Sequence, residues 1–220
     1  MPRSSIWFLA GFSGLIMASP ALAHLHVFVD AQIAPQFAAD GRIEAIKVTW
    51  SYDDLYSLMI FEDHALDQDG DDLLTEAEIA ELQGFDSDWP EDFPGNTYVL
   101  VAGQPQALGR PTAWTASCGD CKLTSTHMRQ LAEPLRPEAA AVVVKNYDPE
   151  HYYAYAILAA APEGQAAGCA AQITPYDPVA ADAALSAASD AFIAADTSDA
   201  PSPQIGAYFS DRVKVLCAQG

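Results

Sequence analysis

Apolar and polar residues alternate from 24 to 37 (HLHVFVDAQIAPQF), a period-2 stretch rich in Val, Ile and Phe that predicts a half-buried strand. Asp40-Gly41 is a turn signal, and Ile43–Tyr52 (IEAIKVTWSY) repeats the alternation as an antiparallel partner. Asp53 and Asp54 offer capping carboxylates to a helix running through Leu55, Leu58, Met59 and Phe61. A second helix is predicted from Thr75 to Leu82, followed by a Pro- and Asp-rich loop at 85–95 (FDSDWPEDFPG). Further strands are predicted at 97–101, about 123–127, 139–147, 152–158 and 169–174. An Ala-rich surface helix at 179–195 and a Pro/Ser linker at 200–203 precede a last strand at 212–217. Trp50, Tyr52 and Tyr56 are expected at a sheet–helix junction, and Tyr152, Tyr153 and Tyr155 share a strand with one face in the core. The sum is an α+β fold: a mostly antiparallel β-sheet or sandwich with an inserted helix–loop–helix and one late helix. No internal repeat is present, and 220 residues suit a single domain.

Composition narrows the function. Half the residues are hydrophobic and mean hydropathy is +0.04, enough apolar material for a core. Ten Lys+Arg against thirty Asp+Glu give a formal net charge of −20. Such a surface repels phosphate backbones, which argues against nucleic-acid partners, and attracts divalent cations.

The first 23 residues predict a cleavable export signal. Arg3 gives a positive start, Ile6 to Ala18 is apolar, and Ala21-Leu22-Ala23 after Pro20 is a small-residue cleavage site. The apolar run falls short of the ~20 residues a membrane span needs. The expectation is a periplasmic protein of residues 24–220, beginning at His24 and not inserted in the membrane. In an oxidising compartment four cysteines suggest disulfides. Cys169 with Cys217 is the favoured pair, tying the last strand to the core, and Cys118 with Cys121 would form a local one. Half a zinc site or a redox CxxC are the alternatives for Cys118 and Cys121.

Residues 67–78 (DQDGDDLLTEAE) carry the densest chemistry in the chain. An EF-hand calcium loop takes oxygens from positions 1, 3, 5, 7, 9 and 12, the last a bidentate carboxylate. Those positions are Asp67, Asp69, Asp71, the Leu73 carbonyl, Thr75 and Glu78, flanked by helices within 54–84. Leu74 supplies the apolar residue at position 8. Position 6 departs from the pattern, with Asp72 where Gly is usual and a positive φ is required. The competing reading is a solvated acidic turn with no ion.

Cleavage after Ala23 would leave His24-Leu25-His26 at the new terminus. Side chains two apart on a strand share a face, so the imidazoles of His24 and His26 and the terminal amine can converge on one ion. Nitrogen donors suit Zn, Cu, Ni or Co over Ca²⁺. His64, His127 or His151 could complete the set, and a frayed polar start is the plainer alternative. Gly-rich phosphate loops, a nucleophile elbow and HExxH are lacking, so no enzyme activity is expected.

Together these segments resemble the DUF1007 family of exported bacterial proteins. The resemblance rests on His24-x-His26-Val27-Phe28-Val29-Asp30-Ala31, on Trp50 to Tyr56 followed by the acidic loop, and on Val144-x-x-Tyr147-Asp148-Pro149-x-x-Tyr152-Tyr153. Gly168-Cys169 and the closing Val213–Cys217 extend it across nearly the whole mature chain. Leu25 replaces a Pro usual in the family, and Cys118 and Cys121 are not a family feature. The resemblance implies a periplasmic component of an ABC-type transport system, encoded beside nickel/cobalt-type permeases. The resulting expectation is a metal-binding accessory protein. It would hold Ca²⁺ in the 67–78 loop and a divalent transition metal (Zn²⁺ or another) near the mature terminus, in support of an inner-membrane metal permease or ABC transporter. A calcium-stabilised protein-interaction module is the alternative.

Overall fold

Strands β1 (Val27–Phe37) and β2 (Ile43–Tyr52) form an antiparallel pair through the Asp40-Gly41 turn, with Ala31 opposite Trp50 and Ile33 opposite Val48. Gly41 sits at φ +77, the conformation that the turn requires and that a side chain disfavours. The computed structural model describes residues 27–71, 73–91, 93–119, 122–137, 141–166, 168–195 and 202–218. His24 and His26 lie outside them, as do Asp72 and Cys121.

The remaining strands are β3 (Thr97–Val101), β4 (Gln104–Gln106), β5 (Leu108–Gly119), β6 (Lys122–Leu135), β7 (Val142–Asn146), β8 (Tyr153–Ala160), β9 (Glu163–Gly164), β10 (Cys169–Thr174) and β11 (Arg212–Cys217). One sheet has the order β5-β6-β2-β1-β8, with β9 also on β1, and the other β10-β11-β7-β3-β4. Helices α1 (Asp54–Asp63), α2 (Glu76–Glu81) and α3 (Pro178–Ala195) and a 3-10 turn (Gly206–Phe209) complete the α+β fold. Both sheets feed one core: Val29, Ile33, Ile46, Val48 and Leu123 from the first meet Val99, Val142, Val144 and Val213 from the second. Burying each such aliphatic side chain stabilises by about 1.5–3 kcal/mol relative to exposure. The arrangement is sandwich-like and fits the predicted class.

Several expected strands change in extent. The strand expected near 123–127 runs from Lys122 to Leu135, and the one expected at 139–147 is described as Val142–Asn146. The 12-residue β5 has no counterpart among the predicted elements. Its LGRPTAWTASCG sequence carries Gly and Pro and faces solvent over most of its length, so it lacks the alternation of a buried strand. Hydrogen bonding to β6 creates it. The sheet is also not wholly antiparallel, because β1 pairs with β8 in parallel.

Cys169 and Cys217 stand opposite each other in the β10–β11 register and form a disulfide, the favoured pairing. No helix among the described residues is long and apolar enough to cross a membrane. Asp211 ties the sheets at one edge, its carboxylate accepting from Ile157 N–H at 3.0 Å and Tyr176 N–H at 3.1 Å.

Candidate metal centre

Helix α1 starts where Asp53 accepts from Tyr56 N–H at 2.9 Å, satisfying one of the helix's free amides. The other Asp53 oxygen accepts from Phe28 N–H at 2.7 Å, which fixes the helix to the start of β1. Ser57, fully buried, donates to the Asp53 carbonyl and accepts from Leu123 N–H at 2.9 Å, pinning α1 to β6. Phe61 in the last turn of α1, Leu66 just after it and Leu82 at the end of α2 are buried in the core. Leu74 packs against the same core, so the position-8 residue of the loop is spent on anchoring. The segment carrying the acidic loop is thereby held on a rigid base while the loop faces water.

Within that loop the carboxylates of Asp67, Asp69 and Asp71 come together, with one oxygen from each within 4.8 Å of the others. Asp67 is half-buried and the other two are exposed. Asp67 Oδ1 accepts from Asp71 N–H at 3.1 Å, and Asp71 Oδ1 accepts from Leu73 N–H at 3.0 Å. These local bonds wind the chain so that alternate side chains point to one centre. Gly70, at φ +68, makes the turn between them.

Thr75 and Glu78 form a capping box on α2: Thr75 Oγ1 accepts from Glu78 N–H at 3.3 Å, and Glu78 Oε2 accepts from Thr75 N–H at 2.8 Å. Thr75 Oγ1 also donates to Glu78 Oε2 at 2.7 Å. The remaining oxygen, Oε1, accepts from Asp67 N–H at 2.9 Å. The Thr75 amide and hydroxyl, followed by the Asp67 amide, hold the Glu78 carboxyl below its usual range. Glu78 is therefore ionised and lies against the first residue of the loop. The structure brings Asp67, Asp69 and Asp71 to one point. Glu78 and Thr75 stand beside it, joined to each other and to the Asp67 backbone. The donor set is all oxygen and anionic, which suits a hard divalent cation such as Ca²⁺.

The described histidines stand apart from this cluster's carboxylates. His64 caps the C-terminus of α1, and His151 stacks on Phe209 with ring centroids 4.3 Å apart. His127 is fully buried on β6, between Trp50 (4.8 Å), Trp114 (4.8 Å) and Trp89 (5.5 Å). Neither ring nitrogen of His127 has a hydrogen-bond partner among the described residues. Burial and the neighbouring Arg129 charge hold its pKa down to about 3, so it is a neutral interior imidazole rather than a surface ligand.

Beside His127, Asp86 from the 85–95 loop accepts from Tyr52 Oη at 2.9 Å and from Ser125 Oγ. Burial raises the Asp86 carboxyl against the effect of those two bonds. Sequence reasoning missed this polar interior. Its signal was the alternation Ser125-x-His127-x-Arg129, which puts three polar side chains on the face shared with Leu123 and Leu131.

No curated protein and no solved structure matches the chain. The family model described as "Protein of unknown function (DUF1007)" matches residues 9–217, which takes in both sheets, the disulfide and the acidic loop. With nearly its whole length inside that match, the chain belongs to the DUF1007 family.

Proposed function

We propose that this protein is an exported metal-binding accessory protein without enzymatic activity, serving an inner-membrane metal permease or ABC transporter. Ca²⁺ bound in the 67–78 loop stabilises the fold, and a divalent transition metal such as Zn²⁺ is taken by His24, His26 and the terminal amine after cleavage at Ala23. The convergence of Asp67, Asp69 and Asp71 in a loop whose end carboxylate is already against its first residue carries the calcium half of this reading. Three carboxylates within 4.8 Å repel one another, and a cation relieves that repulsion. The disulfide fits an oxidising compartment.

Metal analysis of protein recovered from the periplasm, with its terminus sequenced, tests the whole reading. Bound Ca²⁺ and a transition ion on a chain starting at His24 are expected. One residue added ahead of His24 should weaken Zn²⁺ binding about as much as His26→Ala, while Asp69→Asn should leave Zn²⁺ binding alone. Equal Zn²⁺ affinity in the extended protein would remove the amine from the site. Affinity should also fall as pH drops through the amine and imidazole pKa values, roughly 7.7–8.0 and 6.5.

A second reading draws on α1, which presents Leu55, Leu58 and Met59 to solvent directly before the acidic loop. In that reading the ion rigidifies a protein-binding face and no metal is trafficked. A processed chain with Ca²⁺ and no transition-metal affinity would favour it.

A further inference from the structure

Away from the acidic loop, a cavity of about 300 Å³ opens between the 85–95 loop and strands β3, β5 and β6. Its walls include Trp89, Phe93, Tyr98, Leu108, Arg110 and Arg129. Two of the ten cationic side chains of a chain with net charge −20 thus meet at one hollow. Arg129 is only 4% exposed, and its guanidinium lies over the Trp89 ring at 5.0 Å. Its Nε donates to the Gly109 carbonyl at 2.8 Å and its Nη1 to the Pro94 carbonyl at 3.1 Å. Arg110 Nη2 donates to the Trp89 carbonyl at 2.7 Å.

Those acceptors are neutral. The ion pairs among the described residues are Arg42–Asp40, Lys47–Glu163 and Lys122–Asp54, and neither cavity arginine belongs to one. Among the described residues neither guanidinium is paired with a carboxylate; a buried guanidinium without such a pair is costly, and a second one nearby adds to that cost. Burial, then Arg110, pulls the Arg129 pKa down to about 10, in keeping with this. Arg129 Nη2 makes no hydrogen bond among the described residues, so the fork retains donors for an acceptor.

The site is also built to hold its geometry. Gly95 has φ +71, and a Cβ there would lie 2.2 Å from the Trp89 ring and 2.3 Å from Arg129 Nη1. Only glycine permits the Trp89–Arg129 stack.

We propose that this cavity binds a small organic monocarboxylate, its charge held between Arg110 and Arg129 and its apolar body against Trp89, Phe93 and Tyr98. The aromatic and aliphatic walls favour a flat apolar body over a fully hydrated ion such as phosphate. Glu91, also on the rim, repels a second negative charge and so selects against dianions.

Benzoate is the probe, titrated into the full processed protein and followed by tryptophan fluorescence and by melting temperature. Saturable binding in the millimolar range or tighter is expected, with a rise in melting temperature. Arg110→Gln, on an exposed side chain, should weaken binding at least tenfold. Glu91→Gln should tighten it, and Asp69→Asn should leave it unchanged. Inorganic phosphate should compete poorly. A linear, non-saturating response, equal binding by Arg110→Gln, or displacement of benzoate by phosphate at equal concentration would each overturn the assignment.

Discussion

Asp67 and Glu78, eleven residues apart, are joined by a 2.9 Å hydrogen bond from the Asp67 amide to the Glu78 carboxylate. The first and last residues of the acidic loop are therefore already in contact, and an ion entering it pays little loop-closing entropy.

Calcium should raise the melting temperature through its preference for the native state. With a dissociation constant of about 10⁻⁴–10⁻³ M, 10 mM Ca²⁺ would contribute about 1–3 kcal/mol. Asp69 makes no hydrogen bond among the described residues, so Asp69→Asn should leave metal-free stability equal or slightly higher while cutting the calcium response. Glu78→Gln should lose the response too, and should also lower metal-free stability because Glu78 caps α2. Calorimetry with and without Ca²⁺ separates the two effects, and identical melting curves would dismiss the calcium site.

Acid should expose the same carboxylate. Its folded pKa is lowered, so its contribution is present above the unfolded value of about 4.3 and is lost as pH falls through the folded one. Glu78→Gln should therefore flatten the metal-free acid limb of a stability–pH profile below about pH 4.3.

His127 governs a different window. Its folded pKa of about 3 lies below an unfolded value near 6.5, so stability is full above 6.5 and declines as pH falls toward 3. The slope approaches about 1.4 kcal/mol per pH unit between those limits. Asp86, whose carboxyl is raised by burial, acts in the opposite sense at the acidic end, so comparison with His127→Phe isolates the imidazole. That variant should flatten the decline between pH 6 and pH 5 without loss of stability at pH 7, because it replaces two unpartnered buried nitrogens with an apolar ring. Denaturant melts across the range provide the check, and an unchanged slope would refute the assignment.

Cys217→Ser should be strongly destabilising. The Cys169–Cys217 bond closes a 48-residue separation, for which the chain-entropy treatment gives about 4 kcal/mol. Equilibrium unfolding of the variant, or of reduced wild type, should show most of that loss.

Gly95→Ala should displace Trp89 from Arg129. A left-handed backbone position alone costs a non-glycine residue about 1–3 kcal/mol, and the contacts at 2.2 and 2.3 Å add to it. A shifted tryptophan emission maximum together with a lowered melting temperature is the expected signature.

Elements governed by local rules were legible in the sequence. The β1–β2 pair follows from alternation around Asp40-Gly41, α1 and α2 from capping at Asp53 and Thr75, and the acidic loop from carboxylates at alternate positions. β10 and β11 appear with the predicted limits. Tertiary pairing decided the rest. β5 exists because β6 offers it hydrogen bonds, and the parallel contact of β1 with β8 joins segments more than a hundred residues apart. The neutral His127 among three tryptophans, and the two arginines at one cavity, arise where the 85–95 loop folds over the inner face of β6. A residue's charge state and partners depend on which distant groups exclude water from it, and short-range periodicity does not contain that information.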